Sequence, residues 1–155
     1  MRDFFKRCLK LEIAQKEHFE KTFDCNLEKI PPRGGHSGDY NVLDGPYAGR
    51  VVEFKRDLFG ARTGNVFIEF KQTFNNWATF KSSGVKLAVE SGDLVVISVG
   101  DKNLIIDGKE DYERAISKVL RTVTTRKNIN GNRDGMHTRG HIVKVSHIEE
   151  FLKTY

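Results

Sequence analysis

The sequence predicts an α/β fold: a mixed central sheet flanked by helices, in the order α-β-β-β-α-β, with C-terminal additions. Three observations carry that expectation. A helical apolar period opens the chain, and strand-like alternation runs through its middle. One nearly all-apolar stretch, Asp93 to Val99 (DLVVISV), reads as a strand buried on both faces. The 155 residues suit a single domain, 1–155, with a core over about 3–107 and a basic helix, loop and terminal strand over about 108–155.

The elements follow in order. Asp3 to Asp24 reads as one helix, with Phe5, Leu9, Phe19 and Phe23 at helical spacing. The segment LEKIPPRGGHSG (Leu27 to Gly38) is a breaker, with two prolines and then three glycines in five residues. Asp39 to Leu43 is a strand, Asp44 to Gly49 a turn, and Arg50 to Arg56 a second strand. A loop, Leu58 to Gly64, leads to a third strand, Asn65 to Gln72, and the three strands read as an antiparallel meander. Asn75 to Gly84, which holds the single tryptophan Trp77, is ambiguous. A short helix over Val85 to Glu90 precedes the apolar strand, and Asn103 to Asp107 extends the sheet. Lys109 to Arg121 reads as a second long helix, with Tyr112, Ala115, Ile116, Val119 and Leu120 on one side. Thr122 to Gly140 is polar and glycine-containing, hence a loop. His141 to Val145 is a last strand and Ile148 to Leu152 a helical tail.

Composition excludes several classes. Apolar content of 38% with 30% charge describes a globular chain, not a disordered one. No apolar run approaches the roughly 20 residues that span a bilayer. The charged N-terminus lacks a signal-peptide core. Cys8 and Cys25 have no metal-ligand spacing and read as free thiols of a reducing, cytoplasmic compartment. The net charge of +5 is unevenly placed. Between Arg114 and Lys144 the basic residues are Arg114, Lys118, Arg121, Arg126, Lys127, Arg133, Arg139 and Lys144, against Asp134 alone. A solvated face normally mixes signs, so a one-signed block favours phosphate contact.

The chemistry sits in VVEFKRD (Val51 to Asp57). With a period of two, Glu53 and Lys55 share one strand face, and Val52 and Phe54 the other. Alone, E-x-K describes any half-exposed strand. A near copy, FIEFK, puts Glu69 and Lys71 in the same relation. Two further residues distinguish the first copy. Asp39 opens the preceding strand, so a hairpin brings its carboxylate beside Glu53. Two carboxylates with an ammonium alongside form a hard-oxygen site for Mg²⁺. Glu12 falls near the middle of the first helix's apolar face, where a carboxylate needs a metal or an ion-pair partner such as Lys16 or a sheet lysine.

Glu12, a glycine-rich loop, Asp39, a turn and Glu53-Phe54-Lys55 together resemble the PD-(D/E)XK nuclease superfamily, whose pattern is a helix glutamate, an aspartate and E-x-K on the next strand. Asp39 stands fourteen residues before Glu53. EFKRD (Glu53 to Asp57), TGNVFIEF (Thr63 to Phe70) and SGVKLAVESGDLVV (Ser83 to Val96) extend the likeness toward Holliday-junction resolvases and phage endonucleases, over about Glu12 to Val99. Gly38 stands where the family usually has a proline or an apolar residue. Asp44 is a rival aspartate, in a turn that would swing it away from Glu53.

The resemblance implies a restriction-endonuclease-like core and Mg²⁺-dependent hydrolysis of DNA phosphodiester bonds, with Mn²⁺ as a substitute. Asp39 and Glu53 would hold the ion, Glu12 would act through water or a second ion, and Lys55 would position the attacking water. Glu69 and Lys71 would stand behind these, and His36 and Ser37 near the scissile phosphate. Arg114, Lys118, Arg121, Arg126, Lys127, Arg133 and Arg139 would grip the DNA backbone. The substrate would be branched or structured DNA in a bacterial or phage-infected cell, and a homodimer would suit cutting two strands. Three alternatives stand beside this: a restriction-like or phage-type nuclease on duplex or single strands, a non-catalytic nucleic-acid-binding domain of the same fold, and a structural protein.

Overall fold

A computed structural model of the chain describes residues 2–31, 38–74, 81–129 and 132–155, with the side chains of residues 4–5, 74, 81, 126–129 and 132–136 set aside. The expectations at His36, Ser37 and Trp77 therefore lie outside the described residues.

Helix α1 (Arg2–Phe23) buries Gln15 and Phe19, while Leu9 and Ile13 are 47% and 41% exposed. Among the described side chains, the helix is thus buried in its second half. After it run β1 (Leu27–Lys29), β2 (Tyr40–Val42) and β3 (Val51–Asp57). These three form an antiparallel meander, β1 with β2 and β2 with β3, but with Leu27–Lys29 in place of the expected Asn65–Gln72. The segment read as a breaker therefore begins with a strand, three residues long, whose Leu27 is buried in the core.

The expected third strand goes elsewhere. A short helix α2 (Gly60–Thr63) turns the chain out of the first sheet into β4 (Asn65–Phe74). The free edge of β3 is taken by β6 (Leu94–Val99), which pairs with it in parallel. Every residue of β6 is buried, as the apolar run requires of a central strand. It is reached through β5 (Lys81–Ser82) and α3 (Gly84–Glu90). Strand β7 (Lys102–Asp107) continues the sheet.

The C-terminal third departs most from expectation. The second long helix stops early, as α4 (Gly108–Ile116). Lys118 lies in the turn beyond it, and Arg121 belongs to β8 (Val119–Ile129). The expected loop is an antiparallel hairpin of β8 with β9 (Asn132–Lys144). Val119, Thr122, Val123, Thr124 and Thr125 are β-branched, which disfavours helix and suits a strand. The expected helical tail is instead α5 (Val145–Ile148), followed by β10 (Lys153–Thr154), which pairs with β7.

Two sheets result: β1-β2-β3-β6-β7-β10, mixed, and β5-β4-β9-β8, antiparallel. One core cluster joins Phe19 of α1 to Phe54, Leu94 and Val96 on one face of the mixed sheet. The other joins Val95, Ile97 and Val99 on the opposite face to Val66 and Ile68 of β4 and to α3, α4 and α5. The fold is mixed α/β, with helices on both faces of the mixed sheet. Among the described residues no helix is long and apolar enough to cross a membrane.

Candidate functional site

The β2–β3 hairpin brings Asp39 and Glu53 together through reciprocal bonds. Asp39 Oδ2 accepts the N–H of Phe54 at 2.8 Å, and Glu53 Oε2 accepts the N–H of Gly38 at 2.6 Å. Gly38 explains its own departure from the family pattern. Its φ is +100°, and an added Cβ would lie 2.3 Å from Val51 Cγ1. A proline there could neither reach that φ nor donate to Glu53.

Two lysines neutralise the carboxylates. Lys55 Nζ lies 2.9 Å from Glu53 Oε1. Lys29 Nζ pairs with Glu12 and stands 4.0 Å from Asp39 Oδ1 and 4.8 Å over the Tyr40 ring. Glu12 has thus found a sheet lysine, one of its two expected partners. Burial, then the Glu53 charge, pushes the Asp39 carboxyl up to about 6, against the N–H bond from Phe54. Burial and the nearby Glu12 and Asp39 charges raise the Tyr40 phenol to about 12.

Among the described residues no three Asp, Glu, His or Cys side chains converge as a metal-holding group. Asp39 and Glu53 make a two-carboxylate site. Mg²⁺ fits such a donor set, because it keeps several waters and takes one or two protein carboxylates. Burial first, and then the Glu53 charge, lifts the Asp39 carboxyl, and a dication would offset the second of these. Asp44, the rival, lies apart: its two oxygens take the backbone and side-chain N–H groups of Asn26 at 2.6 and 2.9 Å.

The second E-x-K copy is in the other sheet, so the two motifs do not lie on adjacent strands. The β4 register shifts between Glu69 and Lys71, breaking the simple alternation of this pair. Glu69 packs against Gly84, where an added Cβ would meet its Oε2 at 2.5 Å. It also lines, with Lys55, a cavity of about 610 Å³ between the two sheets.

Sequence reasoning missed two supporting residues. Gln15, 8% exposed, donates from Nε2 to the Lys55 carbonyl at 2.9 Å and to Ser98 Oγ at 2.7 Å. Ser98 Oγ in turn donates to Asn103 Oδ1 at 2.5 Å. This buried chain anchors the Lys55 backbone to α1 and β6. Its signal was Ser98 within an apolar strand, since a buried hydroxyl needs a partner. Lys29 was hidden in the segment read as a breaker.

The basic residues are dispersed. The Arg114 guanidinium lies 4.3 Å over the Phe151 ring, and that of Arg139 5.7 Å over Phe70. Lys118 and Arg121 are exposed, and Arg121 lines the cavity shared with Lys55. Arg126, Lys127 and Arg133 are strand positions of β8 and β9, described by backbone alone. A scan of protein-family models and searches of curated proteins and solved structures find no match to this chain.

Proposed function

We propose that the chain is a metal-dependent endonuclease of the PD-(D/E)XK type that hydrolyses DNA phosphodiester bonds, on branched or structured DNA. The observation that carries the reading is the hairpin that locks Asp39 against Glu53 and pairs Glu53 with Lys55. The order α1-β1-β2-β3-α3-β6 supports it too, once α2, β4 and β5 are taken as an insertion between β3 and α3. That order is α-β-β-β-α-β, with the aspartate ahead of the second strand and E-x-K on the third.

In this reading Asp39 and Glu53 hold Mg²⁺, and Mn²⁺ can replace it. The ion, when bound, would supply Lewis-acid polarisation of the phosphate and lower the pKa of a water. Lys55 would position the attacking water and offset charge on the phosphate oxygens. Glu12 and Lys29 set the electrostatic balance at the outer side of Asp39. Basic side chains from α4 to β9 hold the flanking backbone without reading sequence. A non-catalytic DNA-binding domain is the second reading, favoured by the net charge of +5 and the basic residues that β8 and β9 carry.

Incubation with a four-way junction, flap, duplex, single strand and RNA, each with Mg²⁺ and with chelator, separates the two. The expected result is cleavage of at least one DNA only with Mg²⁺, reduced about 100-fold or more in Lys55→Ala. Binding of DNA with no cleavage under any condition would leave the binding domain.

A further inference from the structure

We infer that the cavity between the two sheets receives one unpaired nucleotide next to the phosphate held at Lys55. This rests on the nuclease reading for its orientation, and on the following geometry for its occupant. Lys55 belongs both to the carboxylate cluster and to the cavity wall. A strand whose phosphate meets Lys55 therefore has its neighbouring nucleotide at the cavity. The volume, about 610 Å³, lies within the range of small-ligand sites. The rim carries Arg56 and Arg121 with Lys55, cations suited to phosphate, while Phe59 and Phe67 provide rings for a base.

Phe59 is the telling residue. It is 67% exposed, the one exposed phenylalanine or tyrosine ring among the described side chains. It is also held firmly. Asp57 Oδ1 accepts the N–H groups of Phe59 and Gly60 at 3.0 and 2.8 Å, and Oδ2 accepts that of Phe67 at 2.9 Å. One carboxylate thus fixes the backbone beneath both rings. Gly60 completes the turn, since a Cβ there would lie 2.4 Å from Val99 Cγ1. An exposed ring on a fixed backbone, with the Arg62 guanidinium 5.9 Å from its centre and further cations nearby, is what base stacking needs, and stacking accepts any base. A base paired within a duplex cannot enter a cavity between two sheets, so the occupant is unpaired.

The test uses the full wild-type chain in chelator, where no cleavage is expected, with oligonucleotides carrying 2-aminopurine. A single strand should bind with saturable quenching of the probe, and the matching duplex should bind at least tenfold more weakly. Phe59→Ala should weaken single-strand binding about tenfold and remove the quenching, with an unchanged circular dichroism spectrum. Arg121→Ala should weaken binding and keep the quenching. Equal binding of both forms, or quenching that survives in Phe59→Ala, overturns the inference. The nuclease reading fails separately: a chain that stacks the base through Phe59 but cuts nothing with Mg²⁺ keeps the pocket and loses the enzyme. Glu53-dependent cleavage with base stacking absent does the reverse.

Discussion

Asp39 holds its proton to about pH 6, because burial and the Glu53 charge both resist its ionisation. The folded value lies above the ordinary 3.8, so the linkage has a definite sign. Below the ordinary value both states are protonated and the fold bears no penalty. Between there and about 6 the unfolded chain has released a proton that the folded chain keeps, so stability falls as pH rises. Asp39→Asn should therefore raise stability at pH 8 by on the order of 1–2 kcal/mol and leave it unchanged at pH 3, as read by thermal melts. If Asp39 holds Mg²⁺, the ion competes with the same proton. Its affinity for the wild type should rise through about pH 6, as read by calorimetry, and lose that step in Asp39→Asn. Asp39, Glu53 and Lys55 were legible in the sequence because strand periodicity and one turn set their relations locally. Gln15 and Lys29 were not, because their contacts join segments 40 and 17 residues apart.

Among the elements, the β8–β9 hairpin was the hardest to read. Beyond Leu120 its exposed residues, among the described side chains, are polar, so the pattern of a strand was thin, and the run of apolar residues from Tyr112 to Leu120 continued a helical period across the true break. The Asn130-Gly131 dipeptide and the β-branched run were the available signals. The helix α1 and the buried strand β6 were legible, since their apolar periods are long or unbroken. The partner of β3 was not, because pairing depends on which strand competes best for a central position. Within the second sheet, the Phe67 ring packs on Gly140, where an added Cβ would meet it at 2.2 Å. Gly140→Ala should lower stability by about 1–3 kcal/mol, and part of that loss should vanish in a Phe67→Ala background. Additive losses in a double-mutant cycle would mean the ring and the strand do not touch.

At the scale of the molecule, the two sheets line an open cavity that shares Lys55 with the carboxylate cluster and takes Arg121 from β8. The charge of +5 was legible from composition, whereas its placement on β8 and β9 was not. If these strands grip phosphates, the logarithm of DNA affinity should fall linearly with the logarithm of salt concentration, and Arg121→Ala should reduce that slope by about 1. A salt-independent affinity would remove the backbone contacts from the account.

The central claim is that the β2–β3 hairpin, and not the β4 copy of the motif, does the chemistry. The most direct measurement is the Mg²⁺-dependent cleavage rate of Glu53→Ala beside that of Glu69→Ala on whichever DNA the wild type cuts. Glu53→Ala should lose cleavage by about 100-fold or more, and Glu69→Ala should keep a rate within about tenfold of wild type. Wild-type cleavage by Glu53→Ala, with loss in Glu69→Ala, would contradict it.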